Sequence, residues 1–185
     1  MNYHEYRNLI NFGSSLAFGC SHTWGTGVEA NETWPHLLGA KNYGVPGISA
    51  DYLARTAQQI ISSENPAVIF VLWPDWRRFE YVEKNRYRQS LPSDNNRIKF
   101  MKTHDDDWCK NNFSNQVKKL HEICLSQQIK IVDMTLYDLS PYMDYPDRWP
   151  LSKLGHHYAP EWHKQVSDLF LWAKNSNHKF PLSYE

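Results

Sequence analysis

Residues Ala67-Val68-Ile69-Phe70-Val71-Leu72-Trp73 form an unbroken apolar run, closed on either side by Pro66 and Pro74. A strand with one wet face would alternate apolar and polar residues. A run of this length with no alternation reads instead as a strand buried on both faces, the signature of a parallel sheet covered by helices. That one segment restricts the chain to α/β architectures and makes its neighbours the units to identify.

Those neighbours alternate as such a fold requires. Residues 14 to 20 read as a first strand, 41 to 45 as a second and Ile129 to Met134 as a fourth. Between the second strand and the apolar run, Ala50, Leu53, Ala54, Ala57, Ile60 and Ile61 recur at helical spacing, with Ser49 as N-cap. Pro35 and Gly39 bracket a short helix. Phe113, Val117, Leu120 and Cys124 mark the inner face of another. Pro160-Glu161 opens a last helix whose inner face is Trp162, Val166, Leu169, Phe170 and Ala173. This order predicts one domain, residues 1 to 185, with a three-layer α/β/α fold around a mainly parallel sheet. Residues 77 to 112 lack a sustained apolar period and read as an irregular insertion, either a lid or substrate loop or a solvated excursion.

Composition narrows the function. Lys+Arg and Asp+Glu both number 20, so no basic excess speaks for nucleic acid and no net charge steers the chain toward anionic membranes. No apolar run approaches a membrane span, and Met1 to Arg7 lack the apolar core of a secretory signal. Cys20, Cys109 and Cys124 are an odd set without zinc or redox spacing, as in a cytosolic protein with reduced thiols. A cytoplasmic location is expected, with neither nucleic acid nor membrane as partner.

The first strand ends in Gly19-Cys20-Ser21-His22-Thr23-Trp24-Gly25. In open α/β sheets the carboxyl ends of the strands are where ligands sit, so Ser21 stands at the mouth of the sheet. A polar turn alone would read the same way. The segment Phe18 to Thr23 with Gly25, followed by Trp34-Pro35-His36-Leu37-Leu38, resembles the first block of the SGNH (GDSL-type) hydrolases, with Cys20 where the aspartate usually stands. Gly44-Val45-Pro46-Gly47 resembles the second block. Trp73-Pro74-Asp75 stands at the third, and Gly155-His156-His157 at the fourth, with Leu154 in the aspartate position.

The resemblance implies a flavodoxin-like fold and hydrolysis of carboxylic esters. Ser21 would be the nucleophile and His157 the base. The oxyanion hole would comprise Ser21, Gly47 and the third-block position, Asp75. An ionised Asp75 cannot donate a hydrogen bond, so Arg78 is a candidate for that donor. With Leu154 in the aspartate position, Asp144 or Asp147 would orient the ring, or a Ser–His dyad would operate; Asp147 is the expected carboxylate. His22 and Arg78 are expected at the substrate. Short acyl esters or O-acetyl groups on carbohydrates suit the aromatic-rich composition. The alternative is a non-catalytic binding or structural module on the same fold. His156, His157 and His163 raise a metal reading, but no Cys or carboxylate at familiar zinc spacing accompanies them, so neither a metal nor a cofactor is expected.

Overall fold

The computed structural model describes residues 14–84, 86–90, 104–135, 157–177 and 179. Strand β1 (Ser15–Gly19) runs into a single helical turn, α1 (Ser21–Trp24). A 3-10 turn (Ala30–Glu32) and α2 (Trp34–Leu37) lead to β2 (Lys41–Gly44). Then come α3 (Ala50–Glu64) and β3 (Val68–Trp73), the hairpin β4 (Phe79–Glu83) and β5 (Arg86–Ser90), and α4 (Asp106–Ser126). Strand β6 (Lys130–Thr135) and α5 (Pro160–Ser176) complete it.

The main sheet has the order β2-β1-β3-β6, and all its pairs are parallel. The apolar run is therefore an inner strand, with every residue of β3 buried. Its alternate side chains feed two cores. Ile69, Val71 and Trp73 join Leu53, Ala57 and Ile61 of α3 and Phe113, Val117 and Leu120 of α4. Val68, Phe70 and Leu72 join Trp34 of α2 and Trp162, Val166 and Phe170 of α5. Trp34, Trp73 and Trp162 are among the largest fully buried side chains. An aliphatic or phenyl side chain such as Ile69 or Phe70 contributes about 1.5–3 kcal/mol when withdrawn from water. These are the three layers that the helical and strand periods predict.

Ser49 caps α3 as expected, its hydroxyl accepting the Tyr52 N–H, and Asn65 ends the helix in a left-handed conformation. Residues 77–112 differ from the irregular insertion read from sequence. The described part holds a regular antiparallel hairpin, and residues 106–112 are the first two turns of α4. The helix begins seven residues before Phe113 because Asp105 caps it, accepting the Trp108 N–H at 2.9 Å, and Asp106 and Asp107 complement the positive end of its dipole. Polar first turns hide a helix from an apolar period, although Cys109 is buried in phase with Phe113. No helix among the described residues is long and apolar enough to cross a membrane.

Candidate active site

Because β1, β2 and β3 are parallel, the segments leaving their carboxyl ends emerge on one edge. Those segments carry Ser21, Gly47 and Asp75 respectively. The serine turn is held there by unusually close packing. A side chain on Gly19 would strike the Thr23 side chain and come within 2.7 Å of the Leu72 carbonyl. One on Gly44 would run into the backbone at Trp24 and Thr23. Asn42, buried in β2, clamps the turn further: its Nδ2 donates to the Thr23 carbonyl at 2.7 Å and its Oδ1 accepts the Gly44 N–H at 2.8 Å. Within the turn, the Cys20 carbonyl accepts from Thr23 and Trp24, and the Ser21 carbonyl from Gly25 and Thr26. Ser21 is half-buried at the first position of α1.

Gly47 lies in the loop between β2 and α3 with φ +76°, a left-handed value that favours glycine, and open space surrounds the position of a Cβ. The carbonyl of its neighbour Ile48 accepts a long, 3.5 Å contact from Arg78 Nη1. Arg78 thus reaches from the end of β3 back over the Gly47 loop. Its Nε is buried and has no hydrogen-bond partner among the described residues.

Asp75 is nearly buried and engaged. Its carboxylate accepts from the Arg77 guanidinium at 2.6 and 2.9 Å and from the Arg77 N–H at 2.9 Å. An ionised carboxylate so engaged is a hydrogen-bond acceptor and not a donor. The partner Arg77 was not among the residues singled out in the sequence. A carboxylate followed two residues later by arginine is the one local signal that would have pointed to it.

His157 enters just before α5. Its ring lies 5.1 Å from that of His22, centroid to centroid. His22 also packs on Tyr158 at 4.9 Å and Trp162 at 5.5 Å. The residue after the serine is therefore in contact with the histidine from the far end of the chain. Burial pushes the His22 pKa down to about 3, helped by the positive potential of His157, His163 and Arg78. The ring is neutral at ordinary pH. Arg78 and His157 therefore share one electrostatic neighbourhood around His22.

His163, raised in the sequence only as a possible metal ligand, is buried in α5. Its Nδ1 accepts the backbone N–H of Trp34 at 3.3 Å. Burial and the charge of His157 push its pKa down to about 4. No group of three or more His, Cys, Asp or Glu side chains suited to a metal ion occurs among the described residues. Asp144, Asp147, Leu154 and His156 lie outside the described residues.

The sequence matches no family model and no curated relative. Solved structures do match. TesA superposes with a TM-score of 0.60 at 10% identity, over 89% of this chain and 99% of that one. A putative lipolytic protein of the G-D-S-L family from Desulfitobacterium hafniense DCB-2 gives 0.46 at 15% identity, over 90% and 75%. LAE5, described as an α/β hydrolase enzyme from the metagenome of Lake Arreo, Spain, gives 0.47 at 15% identity, over 90% and 97%. The likeness to TesA concerns the fold. The chain therefore carries the three-layer α/β/α fold of TesA, the fold class that the resemblance of its serine block implies.

Proposed function

We propose that the protein is a serine-dependent hydrolase of carboxylic esters. Ser21 attacks the acyl carbonyl while His157 takes its proton and returns it to the departing alcohol. The N–H groups of Ser21 and Gly47 face the developing oxyanion. Arg78 supplies the further donor that Asp75, committed to Arg77, cannot. His22 backs the base with a neutral ring, and Asp147 is the carboxylate that orients it. The substrates are short acyl esters or carbohydrate O-acetyl esters, and the setting is cytoplasmic.

The observation that carries this reading is the His22–His157 ring contact at 5.1 Å, which joins the serine block to the histidine block. Two segments from opposite ends of the chain meet at the sheet edge where Gly47 and Arg78 also lie. A non-catalytic module on the same fold is favoured by one observation, the Arg77-bound carboxylate of Asp75 in a donor's place.

A fluorophosphonate probe, with the adduct mapped by mass spectrometry, separates the two. The folded protein should take the label on Ser21, and Ser21→Ala should take none there. A folded protein that leaves Ser21 unlabelled overturns the hydrolase reading.

A further inference from the structure

The hairpin β4–β5 is not a free flap. Gln89 on β5 accepts the backbone N–H of Ser49 at its Oε1, 2.8 Å away. Ser49 lies two residues after Gly47 and caps α3. The other end of the same amide, Nε2, donates to Glu80 Oε1 on β4 at 2.8 Å. That oxygen also accepts from Arg55 Nη2 of α3 at 2.9 Å, and the Glu80 side chain is only 8% exposed. The Glu80 N–H donates to Asp51 in the first turn of α3, at 3.2 Å, and Asn112 of α4 donates to the same carboxylate at 3.0 Å. Both oxygen and nitrogen of Gln89 are therefore used, and its amide cannot turn without losing two bonds.

An N-cap residue needs its own side chain for the helix, so its backbone N–H must find a partner elsewhere. Here that partner comes from the hairpin. A Cβ at Gly47 would meet nothing within 4 Å, so no packing around that side-chain position holds its left-handed turn. Where its N–H points is then set by how the flanking residues are held: Ile48 is buried in the core, and the loop is tied at both ends. One end is tied to the sheet through the Val45 N–H and the Gly19 carbonyl at 2.9 Å. The other end is tied through Ser49.

We infer that Gln89 is a positioning residue for the oxyanion loop, and that the β4–β5 hairpin regulates the Gly47 N–H by clamping Ser49 through it. The inference deepens the ester-hydrolase reading and rests on it for its catalytic meaning. The hairpin does not need to touch substrate. It sets the loop that does, and a displacement of about 1 Å at such a donor can cost about 10²-fold in rate.

The test uses Gln89→Met, which keeps length and strand compatibility but removes the acceptor. A companion, Glu80→Gln/Gln89→Glu, exchanges the pair: an oxygen again faces Ser49, and an amide on β4 again bridges to it and to Arg55. Three readouts are taken on each: amide hydrogen exchange at Ser49, the rate of Ser21 phosphonylation by a fluorophosphonate, and the unfolding midpoint. Gln89→Met should speed exchange at Ser49 and slow phosphonylation by roughly 10- to 100-fold, bounded by the loss of a whole oxyanion donor. The exchanged pair should restore both.

If Ser21 of the parent takes no label, the hydrolase reading fails and the clamp loses its catalytic sense. If the parent labels and Gln89→Met labels equally fast, or Ser49 exchange is unchanged, the clamp alone fails. Should Gln89→Met not fold, the exchanged pair decides: parental labelling and Ser49 protection support the clamp, and loss of either in a folded protein overturns it.

Discussion

The backbone N–H of Trp34 donates to Nδ1 of His163 across 3.3 Å, joining the first turn of α2 to the first turns of α5. The acceptor nitrogen must be unprotonated, which places the ring proton of neutral His163 on Nε2. The bond also fixes the start of the helix that follows His157, so it bears on the site without touching it. Replacing His163 with leucine leaves a buried N–H with no acceptor. Stability should fall by about 1–3 kcal/mol. Urea unfolding measures it, and a loss under about 0.5 kcal/mol, the range of ordinary surface substitutions, would contradict the assignment.

Histidines give stability a maximum between two pH limits. His22 and His163 have folded pKa values of about 3 and about 4, below their ordinary 6.5. Between those values the unfolded chain binds more protons than the folded one, so stability rises with pH and is lost as pH falls from about 6.5 toward 4. His121 works in reverse. Its Nε2 lies 2.8 Å from Asp133, and that hydrogen bond raises its pKa above 6.5 despite partial burial. Its contribution is present below 6.5 and lost as pH rises through the raised value. Unfolding midpoints across the range should therefore fall on the acid side, and His163→Leu should flatten that slope. An acid limb of equal slope in that variant would assign the loss to other groups.

His157 is the proposed base, so His157→Ala should lower turnover of an activated aryl ester by about 10²–10⁴-fold in a folded protein. His156→Ala should keep most of it. Asp147→Asn should lose up to about 10⁴-fold if that carboxylate orients the ring. An active His157→Ala beside an inactive His156→Ala would reverse the choice of histidine.

Gly47 and Arg78 are expected to fail in different ways. Gly47→Ala keeps the N–H and meets no neighbour, so its cost is the left-handed backbone, about 1–2 kcal/mol of stability, with turnover largely retained. Arg78→Ala should instead leave stability nearly intact and lower kcat by about 10²–10³-fold with little change in KM. Steady-state kinetics beside thermal unfolding distinguishes them. A KM effect alone would make Arg78 a substrate contact and not an oxyanion donor.

Much of this was legible in the sequence because burial leaves a period. The unbroken run of β3, the i, i+3, i+4 face of α3 and the Ser49 cap each follow from local chemistry. The start of α4 was not legible, since its first turns are polar and its cap, Asp105, sits in an acidic stretch that reads as loop. The hairpin was hidden for a related reason: its burial fades from Phe79 to Glu83, and the exposed end carries charge and no apolar alternation. The serine block, Gly47 and the position of Asp75 could be picked out by motif. The Asp75–Arg77 pair and the ring contact of His22 with His157 could not. The first depends on which way a carboxylate turns, and the second joins residues far apart in the chain.

The strand order carries a consequence for the birth of the molecule. In the main sheet every pairing is parallel, so none can close as a hairpin and each waits for a crossover. β1 sits between β2 and β3, and the segment bearing Ser21 is made early, whereas His157 and α5 are made late. A chain emerging from the ribosome would hold its proposed nucleophile well before its base. Long-range pairing of this sort is slow, and the docking of α5 is what brings the imidazole alongside. In refolding, burial of Trp73 against Phe113 of α4 should precede the gain of Ser21 reactivity. Simultaneous recovery of both would mean that α5 docks with the sheet and not after it.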